Sequence, residues 1–139
     1  MINIVLGYED KETRENLLNF VAEKFPEITT LLYTINPKNN DSLYDLEPKT
    51  HTGEGYIIEK LEDFSFKISP KSFFQTNTKQ GENLYRVARD FAELQGHETV
   101  YDLYCGTGSI GIFVSQAAAK IVGVETSNNQ KYRLHLFSI

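Results

Sequence analysis

The 139-residue sequence predicts an α/β fold: a central α+β region over residues 1–70, then over 71–139 the first β-α-β part of a doubly wound, parallel-sheet domain. Two observations predict it. Short β-branched runs alternate with stretches of helical period up to about residue 94. From Thr99 the pattern becomes strand TVYDLYC, glycine loop GTGSIG, helix IFVSQAAA and strand KIVGVE.

Ile2 to Leu6 is a short apolar run and reads as a buried strand. Asp10 can cap a following helix, with Thr13 three residues on, and Leu17, Leu18, Val21, Ala22 and Phe25 recur at three- and four-residue intervals until Pro26. Thr29 to Ile35 has strand composition, and INPKNNDS is a loop. Residues 41–55 hold Pro48, Gly53 and Gly55 and read as irregular or hairpin-like, with short strands at Tyr56 to Glu59 and Phe64 to Ile68. Asn77 or Thr78 can cap a helix running to about Leu94, with Leu84, Tyr85, Ala88, Phe91, Ala92 and Leu94 as its apolar face and Gly96 as its stop. The domain boundary falls between Ser69 and Asn77.

Composition narrows the function classes. There are no 18 unbroken apolar residues, and the N-terminus lacks a basic start and a small-residue exit, which predicts no membrane span, no secretion signal and a cytoplasmic protein. A single cysteine, Cys105, leaves no intramolecular disulfide and no four-cysteine metal site within this chain. The net charge of −5 argues against phosphate binding, but it is unevenly spread. Met1 to Asp63 hold 6 basic and 13 acidic residues, whereas Phe64 to Ile139 hold 8 and 6. Lys67, Lys71, Lys79, Arg86 and Arg89 share their stretch with one acid, Glu82, a modest positive patch compatible with RNA.

Gly106, Gly108 and Gly111 spell G-x-G-x-x-G between a strand and a helix. Missing Cβ atoms allow a ligand to approach the backbone, and the helix start offers N–H groups to it. A dinucleotide would place its pyrophosphate there. S-adenosylmethionine instead calls for an acid near the loop for its amino group and an acid after the next strand for its ribose hydroxyls. Asp102, four residues before Gly106, and Glu125, at the end of IVGVE, supply both. Glu125 suits either ligand; Asp102 favours the cationic one, because a carboxylate repels a pyrophosphate. Cys105 reads as a small packed residue of the loop, since no histidine is fixed near it. His51 and His135 have no partner spacing.

Taken together, ISPKSFFQTNTKQGENLY, YDLYCGTGSIG and IVGVE resemble the S-adenosylmethionine-dependent RNA 5-methyluridine methyltransferases that act on 23S rRNA and tRNA. The match is strong over Phe64 to Glu125. The resemblance implies a Rossmann-like methyltransferase domain, S-adenosyl-L-methionine as cofactor and RNA as partner. It further implies that Gln75 contacts the cofactor and the reacting region, that Tyr104 and Ser109 line the methionine and adenosine site with Gly106 and Gly108, and that Glu125 holds the ribose. Ser109 stands where the family often has Asn or Thr, keeping a hydroxyl of shorter reach. In that family a cysteine thiolate adds to carbon 6 of uracil, so that carbon 5 can take the methyl group. That cysteine lies beyond the ribose acid, so no catalytic residue is expected here. The tail TSNNQKYRLHLFSI resembles nothing in the family, which suggests a truncated or frame-shifted chain without turnover of its own. Tyr132, Leu134 and Leu136 alternate as in a strand. Two readings compete: a nicotinamide or flavin oxidoreductase fragment using GTGSIG and Glu125, and a non-enzymatic RNA-binding remnant using the Lys67 to Arg89 patch.

Overall fold

The computed structural model describes residues 1–125 and, as backbone, residues 133–137. It divides into two units, Met1–Ile58 with Lys67–Lys71 and Glu59–Phe66 with Ser72–Ile139. None of the described helices is long and apolar enough to cross a membrane.

In the first unit, β1 (Ile2–Leu6) and β2 (Leu31–Ile35) pair in parallel through α1 (Lys11–Lys24), and β3 (Lys49–Thr52) adds antiparallel to β2. The Asp10 side chain caps α1 by accepting the Thr13 N–H at 3.2 Å, as the sequence indicated. Leu18, Leu31 and Leu32 form a dry centre, while the hydroxyls of buried Thr30 and Thr34 donate to the Tyr56 carbonyl at 2.8 Å and to Asn3 Oδ1 at 3.1 Å. Arg14 is buried in α1 with its guanidinium 4.6 Å from the centre of the Tyr33 ring, paired to Glu9 and Glu15.

A hairpin of β4 (Ile57–Leu61) and β5 (Phe64–Ile68) has residues in both units. Its turn holds Glu62 at φ 48°, a left-handed conformation that costs a non-glycine residue about 1 kcal/mol.

The second unit carries α2 (Thr78–Ala92), β6 (Thr99–Leu103), α3 (Ser109–Val114), one 3₁₀ turn (Ser115–Ala117), β7 (Lys120–Glu125) and β8 (Arg133–Phe137). β6 pairs in parallel with β7, Asp102 opposite Gly123, and β8 pairs antiparallel with β7. The strand expected in the tail is therefore present as β8; Tyr132 lies outside the described residues. Phe113, Val114, Ile121 and Val122 are buried where α3 covers the sheet.

Helix α2 departs from expectation in two ways. Its last residue is Ala92, two short of the expected Leu94, and Glu93 caps it in left-handed conformation at φ 48°, ahead of Gly96. The Glu98 carboxylate accepts the N–H groups of Gln95, at 3.0 Å, and His97, at 3.2 Å, and so closes a turn that the helix cannot enter. Its apolar residues Leu84, Val87 and Phe91 are exposed, and its buried residues are Gly81 and Tyr85.

Candidate functional site

Parallel pairing of β6 and β7 brings both carboxyl ends to one edge of the sheet, the place where open α/β sheets hold ligands. The glycine loop leaves β6 there. Tyr104 turns the chain at φ 61°, strain of about 1–3 kcal/mol for a non-glycine residue, and is 82% exposed. The Cys105 N–H continues the ladder to the Val124 carbonyl at 3.1 Å. Gly106 and Gly108 follow at φ 54° and 72°, and a Cβ built on Gly106 would meet nothing within 4 Å, so this backbone is open to an approaching group.

Two carboxylates hold the loop by its amides. Glu125 Oε2, at the end of β7, accepts the Gly106 N–H at 2.6 Å. Asp102 Oδ2 accepts the Gly111 N–H at 2.9 Å, and a Cβ at Gly111 would stand 2.9 Å from that same oxygen. The third glycine thus admits Asp102 to the first turn of α3. Burial raises the Asp102 carboxyl above the usual carboxylate range, the Gly111 N–H opposes this, and the charge of Glu125 adds to the rise. The two acids feel one another across the loop.

Cys105 is buried, and its thiol is pushed up by burial first and by the charges of Asp102 and Glu125 after that. A raised thiol is the opposite of an activated nucleophile.

The other candidates lie on the same unit. Ser109 is buried, with its Oγ 3.0 Å from the hydroxyl of buried Tyr85 on α2. Gln75 is half-buried, its stem against Gly81 in the first turn of α2, and the Asn77 side chain caps that helix by accepting the Gln80 N–H at 3.1 Å. The Thr107 hydroxyl approaches the Phe73 carbonyl at 3.5 Å, so the segment before α2 borders the loop. Tyr85 and Gly81 escaped the sequence reading as site residues. A glycine inside a helix, where it costs about 1 kcal/mol against alanine, was the available signal.

The basic patch is largely engaged. Arg86 and Arg89 pair with Glu62 at 2.9 and 2.8 Å, Arg86 also meets Glu82 at 2.6 Å, Lys71 pairs with Glu47, and Lys67 lies 3.9 Å from the centre of the Tyr56 ring.

No family model matches the sequence. Curated relatives do. An uncharacterized RNA methyltransferase of Bacteroides thetaiotaomicron is 50% identical over 116 residues, 84% of this chain and 26% of the relative. One of Porphyromonas gingivalis is 50% identical over 125 residues, covering 90% and 27%. The chain is homologous to RNA methyltransferases. It spans about a quarter of the length of these relatives. Among solved structures it is similar to the Pyrococcus abyssi tRNA (uracil-54, C5)-methyltransferase in complex with S-adenosyl-L-homocysteine, with a TM-score of 0.60 and 30% identity over 84% of this chain and 26% of that one.

Proposed function

We propose that this chain carries the S-adenosyl-L-methionine-holding part of an RNA uracil-5 methyltransferase, on a Rossmann-like β6–α3–β7 unit. The observation that carries the reading is the pair of acids at one loop: Asp102 on the Gly111 amide and Glu125 on the Gly106 amide, with the backbone open at Gly106. This donor and acceptor set fits a cationic nucleoside. Asp102 would face the ammonium of the methionine portion and Glu125 the ribose hydroxyls. Gly106 and Gly108 let the ligand touch the backbone, and the exposed Tyr104 ring offers it an aromatic face. Ser109 would serve through its place in the loop, and Gln75, two residues after the Phe73 carbonyl that the Thr107 hydroxyl approaches, would reach toward the reacting end.

The bound cofactor supplies an electrophilic methyl group. The protein's own residues here bind and orient, and none of them supplies the nucleophile that opens carbon 5, because Cys105 is buried with a raised pKa. RNA is the proposed substrate, supported by the names of the relatives and of the structural neighbour. Pairing of Arg86, Arg89 and Lys71 with acids weighs against a remnant that binds RNA through these cations alone.

Calorimetric titration of the chain with S-adenosylhomocysteine and with NADH tests this directly. Saturable one-to-one binding of the first and no heat from the second is expected. Binding of NADH with no response to S-adenosylhomocysteine would overturn the reading in favour of an oxidoreductase.

A further inference from the structure

Helix α2 docks in an unusual way for an amphipathic segment. Its large apolar side chains Leu84, Val87 and Phe91 point to solvent, and the two residues it buries are Gly81 and Tyr85, four apart and so on one face about 6 Å along the axis. Each meets one of the two motif segments. At Gly81 a Cβ would stand 2.9 Å from Gln75 Cβ and 3.2 Å from Gln75 Cγ, a collision near the backbone end of that side chain, which cannot swing away. At Tyr85 the hydroxyl meets Ser109 Oγ at 3.0 Å, and its ring packs edge-on against Phe113, 5.7 Å between centres at 66°.

We propose that Gly81 and Tyr85 are positioning residues: this face of α2 fixes Gln75 against the glycine loop and so sets the spacing of the cofactor site. The proposal rests on the methyltransferase reading above and adds two residues to it. Gly81 is there to admit Gln75 at the cost of helix propensity. Tyr85 is there to carry a hydroxyl to Ser109, because packing on Phe113 alone would be served by phenylalanine. Neither residue touches the ligand; both act through the residues they seat.

The test is S-adenosylhomocysteine affinity by calorimetry on the chain, with the melting temperature measured alongside. Tyr85→Phe and Ser109→Ala should each weaken binding about tenfold, and the double variant should bind no more weakly than the weaker single, because both remove the same hydrogen bond. Gly81→Ala should weaken binding to a similar degree, with a change in melting temperature held small because the gain in helix propensity offsets part of the strain of displacing Gln75. A merely structural role predicts full affinity in any variant that stays folded. Wild-type affinity in folded Tyr85→Phe, or losses that multiply in the double variant, would overturn the proposal; if Tyr85→Phe unfolds the chain, Gly81→Ala decides, wild-type affinity in that folded variant overturning the proposal. Failure of the unaltered chain to bind S-adenosylhomocysteine would sink the methyltransferase reading, and this proposal with it.

Discussion

Asp102 separates what the fold needs from what a ligand needs. Its Oδ2 accepts the buried Gly111 N–H at 2.9 Å, so the fold requires an acceptor at this position but no charge. Burial and the nearby charge of Glu125 both disfavour ionisation. Asp102→Asn keeps an oxygen for Gly111 and removes the charge, so at pH 7 it should be neutral or stabilising. Asp102→Ala strands the amide and should cost about 1–3 kcal/mol, the desolvation penalty of an unpaired buried donor. The pH dependence follows from the raised carboxyl. The folded chain holds this proton more tightly than the unfolded one, so stability from Asp102 is full below the ordinary value of 3.8 and is lost as pH rises through the folded value. The advantage of Asp102→Asn over wild type should therefore emerge on going from pH 3.5 to neutrality. Urea denaturation at both pH values measures it. A carboxylate facing the ligand's ammonium contributes about 1.5–3 kcal/mol net, so the stable Asn variant should nevertheless lose at least about tenfold in S-adenosylhomocysteine affinity. Equal destabilisation by Asn and Ala would refute the division, for it would mean that the charge holds the fold.

Glu62 presents the opposite case. Hydrogen bonds from Arg89 and then Arg86 lower its carboxyl to about 2, so its stabilisation is complete above the ordinary value of 4.5 and disappears as pH falls towards 2. Glu62→Gln should lower stability modestly near pH 7, by about 0.5–1 kcal/mol per partly exposed pair, and should match wild type near pH 2 in denaturant titrations. Cys105, with its thiol raised and buried, should alkylate with iodoacetamide at pH 8 at least about tenfold more slowly than free cysteine; a rate equal to or above that of free cysteine would restore it as a candidate nucleophile.

The parts of the fold legible in the sequence are those written in local chemistry. The Asp10 and Asn77 caps, the β5 strand and the β6–loop–β7 order all rest on residues within a few positions of one another. The end of α2 comes two residues earlier than its periodicity implies, and beyond it Glu98 gathers the amides of Gln95 and His97, an arrangement that no periodicity announces. Of the apolar face expected on α2, Tyr85 is buried while Leu84 and Phe91 are exposed, because the helix docks through the close approach at Gly81 and the Tyr85 hydroxyl rather than through its whole hydrophobic stripe. The site was half visible. Asp102 and Glu125 could be named from their strand positions, but their bonds to Gly111 and Gly106 span 9 and 19 residues, and Tyr85 to Ser109 spans 24. The ion pairs of the basic patch were hidden for the same reason: apart from Glu82, its partners Glu62 and Glu47 lie outside the stretch from Lys67 to Arg89.

The electrostatics of the loop bear on which ligand it suits. Bringing two carboxylates to one short loop costs free energy, visible in the contribution of Glu125 to the raised Asp102 carboxyl. The fold tolerates the repulsion because each acid is met by a backbone N–H, yet those two bonds need acceptors only, and asparagine and glutamine would provide them without the cost. In these two bonds, then, it is the acceptor oxygens and not the charges that serve the loop. A ligand carrying an ammonium and a sulfonium relieves the repulsion on arrival, and a pyrophosphate deepens it. The glycine pattern, silent by itself between a dinucleotide and a sulfonium nucleoside, acquires a preference from the sign of the charges that hold it in place.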